Sequence, residues 1–326
     1  MEIESLLRNR IQNVDEDSET PYSFTHQRGE MSMVARSLAT LTVCAICFTS
    51  SPAIRSHNSP TEFSEPELVL RKGRLPSPRE FDDLAERNPI ALLDASLRRY
   101  QAEVQSYRAT LFKQERIAGK LHPAEEIRIA FREVPFSVLM LWDVGARRAG
   151  LGTVKGSLYV VGENQGKMIG WRPDAIFTHM KVGTRDANAR AAARFGIEEF
   201  GLFWGAKRTY LAWLNAQERN ELDCKYLGLQ AVPELKNRIC HVLQRTCQVD
   251  SVDPFMTGEA LEATPENSMG AFRTVTIMID RETWLQTGAV LKNVQGDLVA
   301  SYFFHDVQLN PNFEPTEFTE KSLKNK

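Results

Sequence analysis

Five short apolar runs follow one another in the last third of the chain, at 224–231, 239–249, 272–279, 284–291 and 298–309, each bounded by Pro, Gly, Asn or Asp. Runs of this length between turn residues are strands, and strands that follow one another closely pair as antiparallel neighbours, so a meander is expected. The same signal begins earlier. Ile127, Ile129 and Phe131 alternate with Arg128, Ala130 and Arg132, and 136–142 is almost continuously apolar, as in strands with one or both faces covered. The segment 162–167 separates apolar runs at 158–161 and 168–171, which predicts a hairpin closed by a tight Asn/Gly turn. Between Val249 and Phe272 lies a polar segment with Pro254, Gly258, Pro265 and Gly270, too long for a hairpin turn and read as a lid-like or disordered insertion.

Helical periodicity precedes and interrupts these strands. Ser77-Pro78-Arg79-Glu80 has a capping serine, proline at the first helical position and glutamate three residues after the cap, a capping-box start for a short helix reaching Arg87. Asn88-Pro89 repeats the device. Leu93, Leu97, Tyr100, Val104 and Tyr107 then recur at helical spacing, while Arg98, Arg99, Gln101 and Glu103 face elsewhere, so this second helix packs on something apolar. After Gly201, the positions Leu202, Phe203, Ala206, Tyr210, Trp213, Leu214 and Gln217 predict another long helix. The expected class is α+β, an antiparallel sheet with helices packed against it.

The stretch 38–48, preceded by Arg36 and followed by Thr49-Ser50-Ser51-Pro52-Ala53, reads as a secretory signal cleaved near Ala53. It is shorter than the roughly 20 residues that a membrane-crossing helix needs, so a permanent anchor is the weaker reading, and no other segment spans. Acidic residues (Glu2, Glu4, Asp15, Glu16, Asp17, Glu19) occupy the place of a basic n-region, which points to translation from Met31 or Met33. A lipid-modified Cys44 is disfavoured because Val43 is too large for that cleavage. The organisation expected is an upstream extension at 1–30, a signal at 31–53, a flexible leader at 54–76 and one domain at 77–326, in a protein exported to the periplasm or cell envelope. Lys and Arg total 40 against 42 for Asp and Glu, so no bulk positive field draws the chain to nucleic acid.

After such cleavage Cys224, Cys240 and Cys247 remain. One disulfide and one free thiol is the simplest arithmetic in an oxidising compartment; the alternative for each is a small buried hydrophobe. A hairpin centred between Leu235 and Lys236 sets Cys224 opposite Cys247 and Cys240 opposite Ala231, while Cys240 and Cys247 face opposite ways along one strand. A Cys224–Cys247 bond is therefore expected. The six histidines form no i, i+4 pair and the three remaining cysteines no C-x-x-C, so neither metal nor other cofactor is assigned. The turn at 162–167 lacks the spacing and the hydroxyl of a phosphate-binding loop, and no G-x-S-x-G elbow occurs. His305-Asp306 resembles a base with its orienter, but adjacent strand side chains point to opposite faces, which leaves a polar strand end. No catalytic residue is assigned. The basic, glycine-rich loop 145–152 has two readings, an anion site built from backbone amides or a solvated hairpin loop.

Lys113-Gln114-Glu115-Arg116, Gly119-Lys120-Leu121, Arg132, Pro135-Phe136-Ser137-Val138, Tyr159, Gly162, Asn164 and Gly166-Lys167 together resemble the DUF1571 family of secreted bacterial proteins, found mostly in planctomycetes and without an assigned activity. The likeness continues through Ile197-Glu198-Glu199-Phe200-Gly201-Leu202, Asp280, Leu309-Asn310-Pro311 and Phe318, and so covers Leu92 to the C-terminus. Glu198 stands where the family pattern has threonine, and the usual aromatic ending is absent. That family is similar to the LolA/LolB group of periplasmic lipoprotein carriers, which implies an antiparallel sheet curled into an open half-barrel with helices on its concave face. In such a fold Leu97, Tyr100 and Val104 of the helix and Phe131, Leu139 and Leu141 of the strands line one apolar space. The resemblance also makes Arg132, ahead of Pro135, a candidate to hold a helical lid; a plain structural arginine is the alternative, since the spacing differs by two residues. The function implied is non-enzymatic binding of a lipid, a lipoprotein acyl chain or another apolar ligand. An envelope scaffold or sensor with a filled core, and a hydrolase using the cavity, are the alternatives, because a core and a cavity wall share one composition. Nothing in the sequence fixes the oligomeric state.

Overall fold

The computed structural model describes residues 68–149, 152–190, 192–251 and 270–324. The signal, the upstream extension, most of the leader and nearly all of the insertion at 250–271 lie outside the described residues.

Helix α1 (Pro78–Arg87) starts as its sequence demands. The Ser77 hydroxyl accepts from the Glu80 N–H at 3.3 Å and the Glu80 carboxylate accepts from the Ser77 N–H at 2.6 Å, closing the capping box. Asn88 ends α1 and caps α2 (Pro89–Glu103), its Oδ1 accepting from the Ala91 N–H at 3.0 Å. Helix α2 is buried on every side from Ile90 to Leu97. Asp94 tolerates this because Arg98 Nε and the Arg71 N–H both donate to it, at 2.9 and 2.8 Å.

The helix is shorter than its stripe of apolar residues suggests. Val104 is its C-cap, and Tyr107 belongs to β1 (Ser106–Ile117), a strand that the apolar pattern does not announce. The following strands are β2 (Lys120–Leu121), β3 (Glu125–Arg132), β4 (Ser137–Val144), β5 (Arg148–Ala149), β6 (Gly152–Thr153), β7 (Gly156–Val160), β8 (Lys167–Trp171) and β9 (His179–Gly183). A single helical turn at Ala187–Arg190 leads to α3 (Leu202–Glu218). The C-terminal meander is β10 (Asp223–Val232), β11 (Arg238–Ser251), β12 (Phe272–Asp280), β13 (Gln286–Lys292) and β14 (Leu298–Leu309), close to the runs read from sequence. Trp284 falls outside β13 because Asp280 starts a tight turn there, accepting from the Glu282 and Thr283 N–H groups, and Trp284 stacks on Phe81 at 4.1 Å.

All pairings are antiparallel, and β1 is the joint between the two meanders. It pairs with β14 on one side and β3 on the other, giving the order β10-β11-β12-β13-β14-β1-β3-β4-β7-β8-β9, with β2 attached to β1 and β5-β6 a separate pair. Strands β10 and β9 are edges, so the curled sheet is not closed. The class is α+β as expected. Helices α1, α2 and α3 pack with Leu243, Ile277 and Ile279 on one sheet face. On the other face, Phe318 and Leu323 of the C-terminal segment cover Ala130, Leu139, Leu158, Val160 and Ile169.

Two expectations about paired side chains fail. The hairpin turn Pro233–Leu235 is centred earlier than assumed, and a bulge between Tyr226 and Leu229 moves the register by one more residue. Cys224 thus lies opposite Arg245, not Cys247, and Cys224, Cys240 and Cys247 are all free thiols. In β14, Asp306 adopts φ +53°, next to a register shift across from Arg108 and Thr110. Regular alternation is lost there, so His305 Nδ1 and Asp306 Oδ2 meet at 2.9 Å after all; Lys236 also donates to that carboxylate.

Candidate functional site

A cavity of about 980 Å³ lies on the helix-bearing side of the sheet. Its walls come from strands β1, β3, β4, β7, β8, β9 and β11 to β14, from α3, and from Thr184, Arg185, Ala189 and residues 192–201 of the connection before α3. Strand register explains which residues share that side of the sheet. Leu243, Ile277, Ala289, Tyr302, Lys113 and Glu125 are successive cross-strand partners, and Arg245, Val275, Leu291, Ala300 and Glu115 form the neighbouring row. Residues two apart on a strand share a face, so Leu111, Lys113 and Glu115 of β1 all look the same way, as do Ile127 and Glu125 of β3.

Along that face the wall changes character. Leu111, Ile127, Met140, Val182, Val275 and Leu291 are apolar, whereas the middle of the sheet carries a buried polar cluster. Lys113 Nζ donates to Glu115 Oε2 at 3.2 Å and lies 3.7 Å from Glu125 Oε1. Tyr302 Oη donates to Glu115 Oε1 at 2.7 Å, and the Arg194 N–H reaches the same oxygen at 3.4 Å. Trp142 Nε1 donates to Glu125 Oε2 at 2.7 Å, and Arg147 Nη2 is 2.6 Å from Glu125 Oε1. Burial alone would raise the pKa of Glu115. The Lys113 charge and these hydrogen bonds outweigh it and hold the carboxyl below its usual range.

Arg147 belongs to the glycine-rich loop, which therefore turns one cation inward instead of being wholly solvated. Gly145 lets it do so: its φ is +74°, and a Cβ there would lie 2.2 Å from the Ala124 carbonyl oxygen.

The residues expected to line an apolar space are not brought together. Leu97 is in the core under the helices; Tyr100, Val104 and Phe131 share a second packed cluster with Tyr107 and Leu202; Leu139 and Leu141 are on the opposite sheet face. None lines the cavity. Their neighbours Met140 and Trp142 do, a one-residue difference in parity that a continuous apolar run does not reveal. Among the described residues, the contacts of Arg132 are not with a helical lid. Its Nη2 donates to Ser137 Oγ at 3.0 Å and its guanidinium lies 4.6 Å from the Phe318 ring centre, so it fastens the C-terminal segment.

The remaining chemistry is enclosed. Burial pushes the Cys224 and Cys240 thiols up to about 12. His241 Nδ1 meets Tyr226 Oη at 2.9 Å and Nε2 meets Asp82 Oδ1 at 3.0 Å, but this trio lies between α1 and β10-β11, away from the cavity. Among the described residues no three His, Cys, Asp or Glu side chains form a metal-ligand group, and no helix is long and apolar enough to cross a membrane.

Solved structures similar to this chain include the Pseudomonas aeruginosa MucA/MucB complex, with 13% identity over 70% of this chain and 60% of that one and a TM-score of 0.38. This chain thus spans less than two thirds of that structure's length. Others are the Mycobacterium tuberculosis lipoprotein LppX, with 11% identity over 69% and 99% of the two chains and a TM-score of 0.37, and a LolA superfamily protein from Nitrosomonas europaea, with 9% identity over 71% and 98% and a TM-score of 0.27. No curated protein matches. The profile of the family described as "Protein of unknown function (DUF1571)" matches residues 104–325, the span of both meanders and the cavity between them and α3, and the chain belongs to that family.

Proposed function

We propose that this protein is a non-enzymatic binding protein of the cell envelope that holds a lipid, a lipoprotein acyl chain or another apolar ligand in its cavity. The observation that carries the reading is the cavity itself, about 980 Å³ between an apolar sheet wall and α3, at the upper end of the size range of small-molecule sites. Each buried methylene of an acyl chain would contribute about 0.8 kcal/mol there. A scaffold with a filled core would leave no such space.

The polar groups support binding over catalysis. A general acid at neutral pH needs a raised carboxyl pKa; in the cavity Glu115 shifts the other way, and Glu133, which burial does raise, lies outside the cavity lining. A nucleophilic thiol needs a lowered one, and Cys224 and Cys240 are raised. Export to the envelope rests on the apolar stretch 38–48 and the small residues after it.

Native mass spectrometry of protein recovered from the envelope fraction tests the reading. Co-purified lipid is the expected result. A ligand-free chain that also fails to take up a neutral fluorescent lipid probe would overturn it.

A further inference from the structure

Cationic side chains around the cavity outnumber carboxylates by seven to four, in a chain of formal net charge −2. Most of the cations are engaged by the protein. Lys113 and Arg147 pair with Glu115 and Glu125, Arg185 and Arg208 lie 3.7 Å from Glu198 and Glu199, and Arg172 and Arg194 donate to backbone carbonyls.

Arg245 differs from the rest in having neither an ion pair nor a hydrogen bond among the described residues. It is only 9% exposed and lines the cavity, and its enclosed Nε, like those of Arg147 and Arg194, has no hydrogen-bond partner. Register gives the reason: Cys224 stands across from it on β10 and Val275 on β12, so neither flanking strand sets a carboxylate opposite it. A guanidinium does not shed its proton, and burying it without a counter-charge is unfavourable. An anion entering the cavity supplies that charge, and a carboxylate or phosphate matches the planar fork of donors. Beyond Arg245 the same face continues with Val275, Ala289 and Leu291, which suit a hydrocarbon chain.

We propose that the ligand is an anionic amphiphile, with its carboxylate or phosphate head on the Arg245 guanidinium and its chain along Val275, Ala289 and Leu291. This rests on the cavity being a ligand site, as inferred above.

The test is competition against the uncharged dye N-phenylnaphthylamine by palmitate, palmityl alcohol and palmitoyl lysophosphatidate. On the wild-type protein at least one of the two anions should displace the dye at about a tenfold lower concentration than the alcohol, the effect of one charge-assisted hydrogen bond. An advantage confined to the lysophosphatidate identifies a phosphate head, and one confined to palmitate a carboxylate. Arg245→Met should remove the advantage of the anions over the alcohol, both measured on that same variant, and Arg245→Lys should retain part of it. If the alcohol competes as well as the anions on the wild type, or if the advantage survives in Arg245→Met, the head-group assignment fails while the cavity reading stands. If the dye does not bind and no amphiphile is taken up, both fail. Should Arg245→Met not fold, the wild-type and Arg245→Lys comparisons decide.

Discussion

His241 is fully buried between Tyr226 and Asp82, and burial lowers its pKa more than the Asp82 carboxylate raises it. An unfolded histidine titrates at about 6.5, so below that pH the unfolded chain takes up a proton that the folded one resists. Stability from this site is complete above the unfolded value and is lost as pH falls toward the folded one. Melting temperature should therefore drop between about pH 7.5 and about pH 5.5, and the drop should shrink in His241→Asn. An equal pH dependence in both proteins would contradict this. The thiols give a second residue-scale prediction. Cys240 and Cys247 are 0% and 2% exposed, so a thiol reagent at neutral pH should leave both unmodified in the folded protein. In denaturant without reductant, peptide mapping should find Cys224, Cys240 and Cys247 all labelled; an unlabelled pair would reveal a disulfide that the register opposes.

The elements differed in how openly their sequences declared them. The C-terminal strands and both helix starts were legible because their apolar spacing and caps agree with their final environment. Strand β1 was not, because its inward positions run Tyr107, Ala109, Leu111 and then Lys113 and Glu115, and charges at buried positions break the alternation on which strand reading depends. Those charges belong to the polar cluster in the cavity, so the residues that concealed the strand also concealed the site. Only long-range register brings Lys113 beside Glu125 and Tyr302. Helix α3 shows two opposite uses of glycine. Gly201 precedes it at φ +120°, where a Cβ would lie 2.8 Å from the Tyr107 hydroxyl that accepts from the Leu202 N–H at 3.2 Å. Gly201→Ala should cost about 1–3 kcal/mol, read from chemical denaturation. Gly205 lines the cavity with open space around its Cβ position. Gly205→Trp should keep or slightly raise stability, by up to about 1 kcal/mol from helix propensity, while weakening uptake of a lipid probe; unchanged uptake would argue that the cavity is not where the probe sits.

For the molecule as a whole, the sheet is covered on both sides by different parts of the chain, helices on one face and the C-terminal segment on the other. Leu323 is fully buried among Leu139, Leu158 and Ile169, so Leu323→Ala should cost about 2–5 kcal/mol, with a matching fall in the denaturant midpoint. The joint at β1 bears on how the chain reaches this state. Within each meander, strands pair with close neighbours in sequence, but Glu115 must find Ala300 and Tyr107 must find Leu309. Contacts so remote in sequence are slow to form, and their entropy is lost before they stabilise anything. During synthesis the first meander emerges with one side of β1 unpaired, an open edge that can recruit other chains, and it stays so until β14 has been made. The interval between those two strands is when this protein is most exposed to aggregation, and a chaperone that shields β1 over that interval would raise the yield of folded protein more than one that acts after the chain is complete.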